Sequence, residues 1–505
     1  MNPEVRYANP AARGKFAGQV LAEQLEAALT LLYRGRLAAV ADEPNWAATF
    51  LGSWLGQRPA RRSSGGGRSA KRPVLKLVRR KGSSPVTVEF RNSLKITRDF
   101  GRHPGTWFPP LVVMLILALT LPAVYLGGTL DPIGSLRGLP VAMVVEPQTA
   151  SSIGAADQVS AAITQGVDHE AVELIPMTAE QEREQMDGGK IFGAVRVPAD
   201  FNAEIARLAS GAPGPATHAV IHLDTNPAAA TMGTGLFTGY LAPVVAAVNA
   251  GLGAKLPQNA PTAAATTSLA NPFSVATAPL TPLPAHTGSG TSVFYYAVVL
   301  VLLGFVGASA IHPMVDSASG FQPTELGPKV RRRGYTHLSR LHMLVVKWCV
   351  ALIAAPLSAG LIQLLATKTL HMPVASPWQL YLFSATTIAA VALGALTIFA
   401  IFGSLAPLIN MFFFVAMAMT SSAGTIPVEA TPAFFGVIAK FEPMRPIVAG
   451  LRSILYFHST PLSGLHSAWI HVIIGGLLAV VVGVVITGLY DRKPSFTRQP
   501  VLATE

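Results

Sequence analysis

Charge is scarce in this sequence and cysteine nearly absent. Of 505 residues only 13% are charged, and one, Cys349, is a cysteine. A soluble chain of this size carries nearer to a quarter charged residues, so the deficit argues against a water-soluble globular protein. With one cysteine no disulfide forms within the chain, and any part outside the cell must be held by packing alone. The glycine run GGGRSAKR (65–72) lacks the Gly-Lys-Ser/Thr end that cradles phosphate. The histidines and the cysteine lack ligand spacing for a metal, and no Gly-x-Ser-x-Gly elbow occurs. His286 and Ser289 are close in sequence but have no triad pattern around them. These absences point away from an enzyme and from any resident cofactor or metal.

What the sequence has instead is apolar length. Half of its residues are hydrophobic. Six runs, at about 107–126, 293–311, 341–366, 378–401, 405–420 and 469–490, are apolar enough to cross a bilayer. An even number puts both termini on one side. Residues 1–106 hold about 19 Lys and Arg against about 7 Asp and Glu. The 313–340 loop adds Lys329, Arg331, Arg332, Arg333 and Arg340, and the tail adds Arg492, Lys493 and Arg498. The positive-inside rule places all of these in the cytoplasm. Residues 129–290 carry about 13 acids and about 6 bases; they and residues 421–467 then lie outside. The net charge of +12 is met by anionic lipid. The basic run at 58–84 has no aromatic ladder and no recognition motif, so nucleic acid is not expected as a partner.

The expected fold is an α-helical polytopic membrane protein. It has six transmembrane helices and an α/β extracytoplasmic domain inserted between the first and second spans. Residues 1–84 read as a basic cytoplasmic region without a cleavable signal, with amphipathic helices at 16–40 and a linker at 58–84. Residues 85–128 hold an interfacial helix (86–103) and the first span. In 129–290 the pattern predicts strands at 139–145, 191–198 and 219–224, and a strand or short helix near 172–177. Helices are expected at 153–165, 179–188, 200–209 and 229–252. An Ala/Pro/Thr-rich return arm follows at 255–290. Residues 291–490 contain the remaining spans, and 491–505 are a cytoplasmic tail.

Residues 405–456 hold the most informative pattern. An apolar run breaks at Ser421, Ser422 and Gly424, passes prolines at 427, 432, 443 and 446, and ends in an amphipathic helix that places Arg452 off the apolar face. Non-helical backbone cannot face lipid, so 421–456 reads as a re-entrant or interfacial segment. This stretch resembles the signature before the last span of the YhgE/Pip-type (DUF3533-like) proteins of the ABC-2-type permease superfamily. Matching positions include Ser421, Ser422, Gly424, Pro427, Pro432, Phe434, Phe435, Pro443, Met444, Gly450, Leu451 and Arg452. Ala423 stands where a glycine is usual, and Glu442 where a leucine is usual. PVAMVVEPQTA and IFGAVRVPADFNAEI are similar to two landmarks of the family's external domain.

The resemblance implies a bacterial plasma-membrane permease that exports a lipid-like or amphiphilic envelope component or a drug. It also implies a homodimer, membrane lipids as partners and a separate ATPase subunit. A non-transporting surface receptor or scaffold, acting through the external domain, is the alternative. Polar residues inside the spans are the remaining site candidates. Lys347 reads first as a snorkelling anchor at the interface. Gln363 and Asn410 read as hydrogen-bonding across helices, and Arg452 as a clamp on the re-entrant segment through a helix C-terminus, Glu429 or Glu442.

Overall fold

The computed structural model describes residues 104–149, 154–210, 219–256, 269–496 and 498. The expected amphipathic helices, linker and interfacial helix of residues 1–103 lie outside the described residues, as does most of the tail. The first described helix, α1 (Pro104–Tyr125), leads into a five-stranded sheet, with strands β1 (Leu139–Val145), β2 (Val172–Pro176), β3 (Gly193–Val197), β4 (Ala219–Thr225) and β5 (Phe273–Pro279). The strand order is β2-β1-β3-β4-β5. β1 is parallel to β2 and β3, β3 is antiparallel to β4, and β4 is parallel to β5. Four helices connect the strands: α2 (Ala155–Gly166), α3 (Ala179–Asp187), α4 (Phe201–Ser210) and α5 (Thr231–Lys255).

Alternation along β1 sorts the two faces of the sheet. Leu139, Val141 and Met143 join α2, α4 and α5 in one core, while Ala142 and Val144 meet Met186 of α3 on the other side. The return arm differs from a plain extended arm, since its residues 273–279 become the parallel edge strand β5.

After the sheet, the chain is helical apart from a small antiparallel hairpin of β6 (Thr324–Leu326) and β7 (Lys329–Arg331) between the first two helices: α6 (Ser292–Ala318), α7 (Arg340–Leu364), α8 (Pro377–Phe402), α9 (Ala406–Met411), α10 (Met417–Ser421), α11 (Ala433–Ile438), α12 (Met444–Leu455) and α13 (Leu465–Asp491). By length and composition, five helical stretches among the described residues are apolar enough to cross a membrane. They do not coincide one for one with the six expected runs. The α5 stretch is one of the five, but its Phe237, Leu241 and Val245 are fully buried in the sheet core, which accounts for its apolarity. The 40-residue stretch Pro377–Ala416 counts once among the five, yet it folds back on itself. Gly403 takes φ 57°, a left-handed value that glycine adopts without a steric penalty. Asn410 Nδ2 then donates to Ala395 O at 3.2 Å, and a Cβ on Gly394 would lie 3.2 Å from Phe414. α8 and the α9–α10 arm therefore form an antiparallel hairpin. Two single turns of π-helix, Leu365–Thr369 and Phe412–Ala416, interrupt the helices on either side of α8.

A carboxyl pair sits beneath the sheet. Glu182 of α3 is 1% exposed and lies near Asp224 of β4, which Arg196 of β3 contacts at 2.7 Å. Burial first, and the Asp224 charge second, push Glu182 up from 4.5 to about 7. The folded chain thus keeps a proton that the unfolded chain loses near pH 4.5. Stability from this group is full below that pH, falls as pH rises toward 7 and is level above. Glu182→Gln is expected to remove that slope, as read by thermal unfolding of the purified protein across the same window.

Candidate functional site

The 421–456 segment sits where the sheet and the helix bundle meet. Its first part is non-helical, and its backbone is paired from two sides. Ser421 and Ser422 are fully buried, and Ser422 Oγ accepts from Gly424 N at 3.2 Å. Arg452 of α12 donates to the carbonyls of Ala423 at 2.6 Å and Gly424 at 2.7 Å, just past the C-terminus of α10. Its acceptors are thus loop carbonyls two and three residues past α10, neither Glu429 nor Glu442 being its hydrogen-bond partner. From the sheet side, Met232 N at the start of α5 donates to Thr425 O at 3.0 Å, and Arg137 N donates to Glu429 O at 2.8 Å. The Arg137 guanidinium also donates to Thr431 O. Pro427 opens a short turn that carries Ala430, and Ile426 and Ala430 both belong to the core of the sheet.

Close approach explains two glycines of the signature. A Cβ on Gly424 would lie 2.0 Å from Phe294 of α6, and one on Gly450 would lie 2.4 Å from Phe383 of α8. Ala423, where the resembling family has glycine, takes φ 54°. A left-handed alanine is strained by roughly 1 kcal/mol.

Pro432 starts α11, a short helix with two unlike faces. Phe435 and Ile438 pack on Val124 of α1, and Thr420 donates to Val124 O at 3.0 Å. Phe434, Val437 and Phe441 are exposed. Glu442 then caps α12, accepting from Met444 N and Arg445 N, both at 2.7 Å. Burial raises its pKa to about 8 against the downward pull of those two amides. Pro443 precedes the helix, and Met444, Gly450 and Leu451 are buried toward the bundle. Ser292 Oγ and Tyr456 OH, 2.8 Å apart, tie the end of α12 to the start of α6.

The intramembrane candidates are placed apart from this segment. Gln363 Nε2 donates to Pro377 O at 2.8 Å, bridging α7 and α8, and Asn410 bridges α9 and α8. Asn410 Oδ1 is buried without a hydrogen-bond partner among the described residues. Lys347 differs from a snorkelling anchor. It is 3% exposed, and its Nζ lies 2.6 Å from Asp316 Oδ1 and 3.1 Å from His312 Nδ1. Asp316 is fully buried and also receives Arg498, NH1 at 3.0 Å and NH2 at 2.7 Å. His312 stacks on Phe399, with ring centroids 4.6 Å apart.

Sequence reasoning missed Asp316 and Arg498. The signal was present: Asp316 is the sole acid of its apolar run, one turn beyond His312, and a buried lysine requires a counter-charge. No group of three or more metal-ligating side chains comes together among the described residues.

The model of a family described as "ABC-2 family transporter protein" matches residues 107–487, from α1 through the sheet to α13. No curated protein and no solved structure matches the chain.

Ala423→Gly is expected to raise stability by about 1 kcal/mol by relieving the left-handed alanine. Arg452→Ala leaves two carbonyls without their charged donor and is expected to lower stability by roughly 3 kcal/mol. Thermal unfolding in detergent measures both. Hydrogen exchange of residues 421–427 is expected to quicken in the second variant only.

Proposed function

Since the chain belongs to the ABC-2 family of transporter proteins, we propose that it is the membrane-spanning permease subunit of an exporter for a lipid-like or amphiphilic envelope component or a drug. Permeases of this family pair with an ATPase subunit and lie in the membrane, and the chain has no nucleotide-binding loop of its own. The finer reading is a YhgE/Pip-type permease of a bacterial plasma membrane, acting as a homodimer. It has six spans: α1, α6, α7, α8, the α9–α10 arm and α13. The sheet and its helices form an extracytoplasmic domain between the first two, and both termini are cytoplasmic.

The observation that carries this reading is the loop at 421–431. It is hydrogen-bonded to the sheet through Met232 and Arg137 and to α12 through Arg452. A displacement of the bundle helices, driven by an ATPase at the opposite end, is passed by this loop to the domain that receives the cargo. The exposed Phe434, Val437 and Phe441 give α11 an apolar face for the outer lipid boundary.

Purification from native membranes is expected to co-elute an ATPase whose turnover rises with the transported lipid. Absence of any ATPase, with lipid and drug export unchanged on deletion, favours a surface receptor or scaffold instead. For topology, a cysteine at exposed Asp200 in a Cys349→Ser background is expected to react with a membrane-impermeant maleimide on intact cells. Protection until the cells are lysed overturns the external domain.

A further inference from the structure

The end of the bundle that carries Asp316 holds a half-open cavity of about 440 Å3. Arg340, Lys347 and Arg498 line it, together with the rings of Phe399, Tyr490 and Phe496. Among the described residues no carboxylate lines it. The carboxylates nearby are already engaged. Asp316 lies behind the wall and takes both Lys347 and Arg498. The two oxygens of Asp491 accept from Arg340 N at 2.8 Å and Leu341 N at 3.0 Å, capping α7. Three cations therefore face one cavity against two neighbouring carboxylates, Asp316 and Asp491, which leaves an excess of one positive charge among the described residues. The Arg340 guanidinium donates through Nε to Phe496 O at 2.7 Å and lies over the Tyr490 ring. Its terminal nitrogens have no hydrogen-bond partner among the described residues.

An excess of charge in a partly enclosed, ring-walled cavity is unfavourable until an anion enters it. Guanidinium groups present paired donors whose spacing matches the oxygens of a phosphate, and an ammonium beside them adds a point charge. The cavity mouth includes Ser404 at the uncharged turn of the α8 hairpin, and its other wall is the apolar flank of α7 at Met343 and Leu344. We propose that this cavity is a binding site for a phosphate-bearing anion, held by Arg340, Lys347 and Arg498. The same chemistry is offered by the headgroup of an anionic phospholipid and by a soluble phosphate. The site is read by binding, so it stands or falls separately from transport.

The full-length protein in neutral detergent is titrated with phosphatidylglycerol, phosphatidylcholine and inorganic phosphate, and occupancy is read by native mass spectrometry and calorimetry. Phosphatidylglycerol is expected to bind at least about tenfold more tightly than phosphatidylcholine. Arg340→Gln removes a cation outside the Asp316 cluster and keeps a donor toward Phe496, so the fold is retained; it is expected to weaken binding about tenfold. Ser404→Trp fills the mouth from an exposed turn without changing charge, and is expected to abolish binding. Lipid retention that is lost in both variants identifies a headgroup site. Phosphate binding lost in both variants, with no preference between the lipids, identifies a soluble anion. Failure of both anions to bind the wild type, or undiminished binding in either variant, overturns the proposal.

Discussion

A backbone carbonyl removed from water must find a donor, and leaving one unpaired costs about 1–3 kcal/mol. In a chain so poor in charge, the stretch where this demand falls hardest is the non-helical loop between α10 and α11. The carbonyls of Ala423, Gly424, Thr425, Glu429 and Thr431 all receive donors from outside the loop. Some of those donors belong to the bundle and others to the sheet side. Satisfying the loop therefore ties two packed cores to the same few residues, and Ile426 and Ala430 extend the sheet core into the loop itself. The junction between domain and bundle is a by-product of hydrogen-bond accounting.

The opposite end of the bundle is organised by a single acid. Asp316, wholly buried, gathers Lys347, Arg498 and His312 from three separate parts of the chain. Removing one member of such a cluster strands the others, which is why buried charge is kept in sets. The arrangement also reaches past α13, since Arg498 pairs with Asp316 of α6 and its guanidinium lies 4.0 Å from the Phe321 ring centroid.

The helices and strands were largely legible because their periodicity is local. β1, predicted at 139–145, spans Leu139–Val145, and the run predicted as helix at 229–252 forms Thr231–Lys255. Hydropathy alone misreads that helix, since burial against a sheet and burial in lipid select the same side chains. The partners of the polar residues were less legible, being set by packing between distant segments. Lys347 looked like an anchor because Asp316 is 31 positions away in sequence and the two meet only when α6 packs on α7. Arg452 was legible as a clamp but its partners were not, since carbonyls leave no mark in a sequence. Ala423 was visible as a departure from a glycine pattern, and the positive φ gives that departure its physical meaning. The strand β5 escaped notice because four of its seven residues are Ala, Pro or Thr, which gives it no apolar alternation to read.

The turn at Gly403 bears on how the chain is made. Between Phe402 and Ala406 it contains only Gly403, Ser404 and Leu405, with no lysine or arginine to hold it on either side of a membrane. The insertion machinery meets there a long apolar stretch with no charge signal in its middle. The nearest lysine or arginine along the chain is Lys368 before the hairpin and Lys440 after it, so the turn itself carries no charge that would fix its side.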